Sequence, residues 1–320
     1  MNVSASADAH HPAELQKTPD ESAFPCANAS PLGINYELLT RLLTSGSVKE
    51  ACLALRRLTP FGGMLAALGD PFAAALCPLA VNDTPLIDSI LRLLVKSYPD
   101  IAYMPQCDAF SEKNVLIIGS GPAGLQAAWT LRSLGHHVTV REAASEPGPT
   151  LLRHPVQESS SAPSAPSPAI PPEVVHRTIE MLKQSGIVFL CSSPVGQTEL
   201  ASLCKRYDSV LCACGKGAVL PANADGKVSE HLFAAGTCVK NQKTLGALQA
   251  MAFARKAAIA AHYAMTGCSA PVPNPSLPQV HANTDVISAA CPHEENVVRE
   301  VAVRCPACCE QRTKTPDTMA

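Results

Sequence analysis

The sequence predicts an α/β fold, a parallel sheet with helices on both faces, preceded by a small α-helical domain. Three observations predict it. A short β-branched apolar run, NVLII, starts at Asn114, and a helix pattern and a second strand follow it within about 30 residues, which is the parallel βαβ unit. Before Asn114 the apolar positions follow helical spacing. After it, helix and strand patterns alternate as far as Gly267.

The chain has 320 residues, of which 47% are apolar, so it can bury a sizeable core. Lys plus Arg number 25 and Asp plus Glu 27, which leaves no basic surface for nucleic acid. No apolar run approaches the ~20 residues of a membrane span. The opening MNVSASADAHHPAELQKTPDESAF has neither a basic n-region nor an apolar h-region, so a cytoplasmic protein is expected. The 14 Cys are then expected as thiols or metal ligands rather than a disulfide framework.

Residues 1–24 are polar and without periodicity and read as a disordered tail. Residues 25–108 read as the helical domain. Ser47-Val48-Lys49-Glu50 has capping-box spacing, with Ala51, Leu53, Leu55 and Leu58 behind it. A second helix is expected to open at Thr84-Pro85, cap then proline, with an apolar face of Leu86, Ile87, Ile90, Leu91, Leu93 and Leu94. The α/β domain is assigned to 112–266. NVLII is its first strand, LQAAWTLRSL a helix stopped by Gly135, and HVTVRE the next strand. A Pro/Ser-rich linker at 155–172 interrupts it. PEVVHRTIEMLKQSG then reads as a helix, IVFLC as a strand, TELASLCKRY as a helix, and DSVLCACG and HLFAAG as strands. The Ala-rich run LGALQAMAFARKAAIAAHYAMTG reads as a long helix ending at Gly267. Residues 267–320 read as a Cys- and Pro-containing tail.

The most informative segment is Ile117-Ile118-Gly119-Ser120-Gly121-Pro122-Ala123-Gly124. It follows a buried strand and opens a helix, and an acid, Glu142, stands at the end of the next strand. That context turns a weak G-x-G-x-x-G match into the dinucleotide fingerprint. Gly119 makes the turn, Gly121 lets the backbone approach a pyrophosphate, and Gly124 lets the helix pack on the sheet. The helix N-terminus offers N–H groups and partial positive charge to phosphates. Glu142 can accept hydrogen bonds from ribose hydroxyls, and its charge would repel a 2′-phosphate.

With Pro in fourth place, Gly119-Ser120-Gly121-Pro122-Ala123-Gly124 is similar to the flavin variety of this loop. From there the chain resembles the glutamate synthase small-subunit family, a group that takes in the N-terminal region of dihydropyrimidine dehydrogenase and selenate-reductase-like subunits. The matching blocks run in order over most of residues 26–265: LTSGSVKEACLALRRLTPFGGML, NVLIIGSGPAGLQAAWTLRSLGHHVTVREA, PPEVVHRTIEMLKQSGIVFLC, YDSVLCACG and LFAAGTCVKNQKTLGALQAMAFARKAA. The resemblance implies a Rossmann-like FAD-binding domain. It implies that Gly236, Thr237, Thr244 and Leu245 stand at the second flavin motif and at the start of the helix that points at the isoalloxazine.

The chain also departs from the family's pattern. Cys26 keeps the first position of a C-x3-C-P half-motif, but Ser30 stands at the second. The later half-motif is reduced to Asp70-Pro71 and Cys77. No iron–sulfur cluster is therefore expected in the helical domain, since a [4Fe–4S] cluster normally needs four thiolates. About 20 residues separate Gly215 from Phe233, too few for a nucleotide-binding βαβ unit of at least ~30, so the family's NAD(P)H domain is missing. Thr237 stands where the family has Asp, and Gly148-Pro149 replaces Gly-Gly.

In the tail, Glu300 to Arg304 followed by Cys305 resembles the opening of the family's ferredoxin-like segment. Cys291, Cys305, Cys308 and Cys309 are the candidate ligands of an iron–sulfur or zinc site there, and a truncated remnant is the competing reading. Cys191, Cys204, Cys212 and Cys214 are expected in the core. No C-x-x-C or C-x4-C lies near the glycine loop, so the redox disulfide of the disulfide reductases is not expected. His136 and His137 are read as surface, and His154 as a weak catalytic candidate.

These readings leave a FAD-binding component of an oxidoreductase, exchanging electrons with a partner subunit. The alternative is a non-catalytic scaffold or regulatory subunit that retains the fold. A loop holding another adenine nucleotide such as NAD is a third reading.

Overall fold

The computed structural model describes residues 26, 29–98, 111–153, 170–215, 219–240, 246–268 and 292–304. A helical layer and a parallel sheet share one apolar core. The helical layer begins with α1 (Tyr36–Thr44), where the Asn35 side chain caps the helix by accepting the Leu38 N–H. Helices α2 (Val48–Leu58), α3 (Gly62–Leu68) and the one-turn α4 (Pro71–Ala74) follow. The capping box does not form at α2. Ser47 sits at φ −87°, ψ 57° and caps nothing with its side chain. Its hydroxyl instead accepts from Ser45 Oγ at 3.2 Å.

Thr84-Pro85 is not a helix start either. It is strand β2, paired antiparallel with β1 (Ala80–Val81) across a tight turn at Asn82 and Asp83, both at positive φ. Helix α5 (Leu86–Ser97) begins just after it and buries the apolar face read from the sequence.

The sheet domain contains β3 (Asn114–Ile118), α6 (Pro122–Ser133), β4 (His137–Arg141), α7 (Pro149–Arg153), α8 (Pro172–Gln184), β5 (Val188–Leu190), α9 (Gln197–Arg206), β6 (Ser209–Cys212), β7 (Leu232–Ala234) and α10 (Ala247–Thr266). Every strand pair is parallel, in the order β5-β4-β3-β6-β7. The chain builds outward from β3 through β4 to β5, then returns to the other side of β3. That reversal opens a crevice at the carboxyl ends of β3 and β6, where ligands bind in doubly wound folds. The connection from β6 to β7 carries no helix or strand among the described residues. The fold is thus the expected α/β arrangement of Rossmann type.

Helix α6 lies at the centre. Its residues from Ala123 to Leu131 are all buried, because it packs on the sheet, on α10 and on the helical layer at once. Two polar side chains on α6 fix the helical layer in place. Gln126 donates to the Leu58 carbonyl at 3.0 Å and accepts from Thr59 Oγ1 at 2.7 Å. Trp129 Nε1 donates to the Arg56 carbonyl at 3.1 Å. Alanines at 254, 257, 258 and 261 bury the face of α10 and let it run close along α6.

Two expectations are corrected here. The segment read as a tail contains α11 (Pro292–Val303), which packs on α1 and α5 and buries Val298 and Ala302. Its heptad-like apolar spacing is short and gives a weak signal in isolation. His136 is not a surface residue but fully buried, whereas His137 at the start of β4 is exposed. The chain turns inward at Gly135, and the ring lies between Ser111 Oγ on Nδ1 and His262 Nδ1 on Nε2, the latter at 2.8 Å. Burial first, and the neighbouring His262 second, push its pKa down to about 4.

The native state therefore holds His136 neutral while the unfolded chain takes up a proton near the ordinary ~6.5. Its contribution is fully present above that value and is lost as pH falls toward 4. Unfolding free energy is expected to drop by up to about 3 kcal/mol from this residue across that window. Denaturant titrations at a series of pH values check it, and His136→Gln should flatten the slope.

Candidate cofactor-binding site

A cavity of about 890 Å³ occupies the crevice, within the usual range for small-molecule and cofactor sites. Its floor is the glycine loop. Gly119 turns the chain out of β3 at φ +101°, and a Cβ there would lie 2.6 Å from the Ala213 carbonyl oxygen. A Cβ on Gly124 would lie 2.0 Å from the Gly119 carbonyl oxygen, so the helix can start against the loop only without a side chain. Gly121 differs. It has φ −71°, and the nearest atom to a Cβ would be Thr150 Oγ1 at 3.9 Å. Neither backbone strain nor packing requires glycine at 121, and the space beside it belongs to the cavity.

Helix α6 starts with Pro122, which has no N–H. The Ala123 and Gly124 amides lack a preceding turn and have no helical partners, and Ala123 lines the cavity. Gly119, Ser120, Gly121, Pro122 and Ala123 all line the cavity, and Gly124 packs against the Gly119 carbonyl behind them.

Glu142, one residue past β4, is buried at the cavity edge. Its Oε2 accepts from the Ser120 N–H at 2.9 Å and from Ser120 Oγ at 2.5 Å, and Oε1 accepts from the Ala144 N–H at 2.9 Å. Ser120 Oγ in turn accepts from the Gly148 N–H at 2.9 Å. A carboxylate has about four acceptor positions, so about one remains open. Ser120 therefore fixes both the acid and the loop after it, a task that the motif alone did not reveal. Beside Glu142, Arg141 bonds Glu199 at 2.6 Å, Ser193 Oγ at 2.9 Å and the Pro194 carbonyl at 3.1 Å, which holds the segment after β5 along one side of the cavity. Pro149 opens α7 and lines the cavity, as does Thr150.

Gly236 and Thr237 line the opposite wall, in a short turn after β7. A Cβ on Gly236 would lie 3.1 Å from Ala123 Cβ, so the second motif rests directly on the first. The start of α10 closes this end through Ala247 and Ala250. Thr244 and Leu245 lie outside the described residues, as does His154.

The cysteines sort differently from their sequence reading. Cys212 is buried in the core, but Cys191, Cys204 and Cys214 are only partly buried, and Cys214 lines the cavity. Cys26 and Cys77, read as remnants of separate half-motifs, are hydrogen-bonded to each other. That bond, against the opposing effect of burial, brings Cys77 down to about 6, whereas burial pushes Cys52 up to about 12. Cys291, Cys305, Cys308 and Cys309 lie outside the described residues. Among the described residues, no group of three or more His, Cys, Asp or Glu is placed to hold a metal ion. No helix among them is long and apolar enough to cross a membrane.

Residues 117–161 match the NAD(P)-binding Rossmann-like domain family. The chain is 34% identical over 145 residues to glutamate synthase [NADH] of Schizosaccharomyces pombe, covering 43% of this chain and 6% of that protein. It is 32% identical over 143 residues to the glutamate synthase [NADPH] small chain of Bacillus subtilis, covering 43% of this chain and 27% of the other. It is 28% identical over 202 residues to the NAD-dependent dihydropyrimidine dehydrogenase subunit PreT of Salmonella typhimurium, covering 60% and 46%. The chain thus spans less than half the length of these relatives. Among solved structures it overlaps Lactococcus lactis thioredoxin reductase at a TM-score of 0.35 and 12% identity, over 49% of this chain and 100% of that one.

Two outcomes follow from the geometry. Gly124→Ala is expected to cost at least ~3 kcal/mol because no flexible atom can yield, while Gly121→Ala stays within ~1 kcal/mol; denaturant titration compares them. Cys77 is expected to react with iodoacetamide with a rate midpoint near pH 6, while Cys52 stays protected until the chain unfolds. Peptide mapping of the alkylated protein reads both, and a Cys77 midpoint near the ordinary ~8.5 would contradict the assigned contact.

Proposed function

We propose that this relative of the glutamate synthase small chains and PreT subunits is the FAD-binding component of a flavin-dependent oxidoreductase and exchanges electrons through a partner subunit. The observation that carries this reading is the open space at Gly121, bounded by the free amides of α6 on one side and Glu142 on the other. Glycine there is explained by a ligand's approach, since the protein itself does not need it.

The roles follow from the chemistry of each group. The Ala123 and Gly124 N–H groups and the positive end of α6 would hold the diphosphate. The remaining acceptor position of Glu142 would take a ribose hydroxyl, and its charge disfavours a 2′-phosphate. Gly236, Thr237 and the N-terminus of α10 would face the ribityl and ring end, with Thr237 supplying a hydrogen bond but no charge. Bound FAD would supply a two-electron centre at the isoalloxazine; the protein binds, orients and shields it. The short β6–β7 connection supports electron delivery by a partner, since it leaves no room for a second nucleotide-binding unit.

The uncharged Thr237 favours a second reading, a subunit that keeps the fold and has lost the coenzyme. The two separate in one experiment. The purified chain, mixed with FAD and desalted, is expected to retain absorbance near ~450 nm, the property of a bound flavin. Gly121→Asp should fold with an unchanged melting temperature and lose retention at least 100-fold by titration, because a carboxylate then occupies the space for the diphosphate. A wild-type protein that retains no flavin overturns the first reading.

A further inference from the structure

Three cysteines converge where β6 and β7 end. Cys212 closes β6 in the core, Cys214 stands on the cavity wall, and Cys238 closes the turn after Gly236 and is fully buried. Cys238 Sγ lies 3.0 Å from the Cys212 carbonyl oxygen and 2.9 Å from that of Ala235. It is also hydrogen-bonded to the Cys214 side chain, and that contact, ahead of burial, holds the Cys238 thiol protonated well above the ordinary range. Cys212 also lines the cavity, and burial pushes its thiol up to about 12. Neither Cys214 nor Cys238 is in a disulfide. Burial therefore ranks them: one sulfur meets the cavity, and the other is reached through it.

We propose that Cys214 and Cys238 form a redox-active thiol pair in the cavity wall whose substrate is a small disulfide of the glutathione disulfide class. Cys214 gives its proton to water and its thiolate attacks one substrate sulfur. The substrate S–S bond breaks, a Cys214–substrate disulfide forms, and the first half leaves as a thiolate that takes up a proton. Cys238 then attacks the Cys214 sulfur and passes its proton to the departing second half. A Cys214–Cys238 disulfide remains, at about 2.05 Å between sulfurs that began in hydrogen-bond contact. Two protein thiols have lost two electrons and two protons, and one disulfide has become two thiols. Reduced flavin in the same cavity would return the two electrons; this return step alone rests on the FAD reading.

The test needs no flavin. The full chain is reduced, desalted, exposed to glutathione disulfide, alkylated and mapped by mass spectrometry. A 214–238 disulfide is expected in the unsubstituted protein. Cys238→Ser should accumulate a glutathione adduct on Cys214, and Cys214→Ser should leave Cys238 unmodified while the protein stays folded by near-UV circular dichroism. An unsubstituted protein in which Cys214 remains a free thiol, or bonds to a cysteine other than Cys238, overturns the proposal. Failure here with flavin retained leaves the FAD reading standing. A 214–238 disulfide in a protein that holds no flavin leaves the pair standing alone.

Discussion

The whole site depends on one steric constraint: helix α6 starts in contact with the loop that feeds it. The Gly119 carbonyl oxygen occupies the place that a Gly124 side chain would take, and the Ala213 carbonyl does the same for Gly119. With no side chains in between, the helix axis points at the crevice and its first amides stand at the cavity. A side chain at either position would push the helix off the sheet and turn its positive end away. The remaining features of the site are arranged around this contact. Glu142 is aimed by Ser120, which the same loop carries, and the second motif rests on Ala123 in the first turn.

The helical layer supports the same helix from outside. Gln126 and Trp129 place three backbone and side-chain partners of the helical domain on α6, so the segment that presents the amides cannot rotate without breaking buried hydrogen bonds. Such bonds are costly to leave unmade, at about 1–3 kcal/mol for each group stranded without a partner. This gives the small domain a physical task in the present chain, whatever its cysteines do: it fixes the orientation of the helix that opens the site. Helix α11 extends that layer by adding Val298 and Ala302 to the packing of α1 and α5.

Much of this was legible in the residues. β3 reads as a buried strand because all of NVLII after Asn114 is apolar, and in the glycine loop Gly119 and Gly124 answer separate steric demands whereas Gly121 stands beside open space. Glu142 could be placed from the strand length alone. What failed depended on tertiary context. Ser47 and Glu50 have the right spacing for a capping box, but Ser47 sits at φ −87°, ψ 57°, outside the extended N-cap conformation, and its side chain caps nothing. Thr84-Pro85 reads as a helix start until Asn82 and Asp83 are seen to adopt left-handed conformations and fold a hairpin. His136 looks like a turn residue, and Ser111 on one side of the ring and His262 from α10 on the other enclose it. The cysteine pairs lie far apart in the sequence, so no short-spacing motif could announce them. Thr244, Leu245 and the C-terminal cysteines fall outside the described residues.

The contact between Gly236 and Ala123 has one more consequence. The loops that leave the carboxyl ends of β3 and β7, at the same end of the parallel sheet, meet there, and a β-carbon added at 236 would lie only 3.1 Å from the Ala123 methyl, closer than side chains normally pack. The two walls of the crevice thus touch without a side chain between them, and even an alanine at 236 would have to move the turn after β7 away from the first turn of α6.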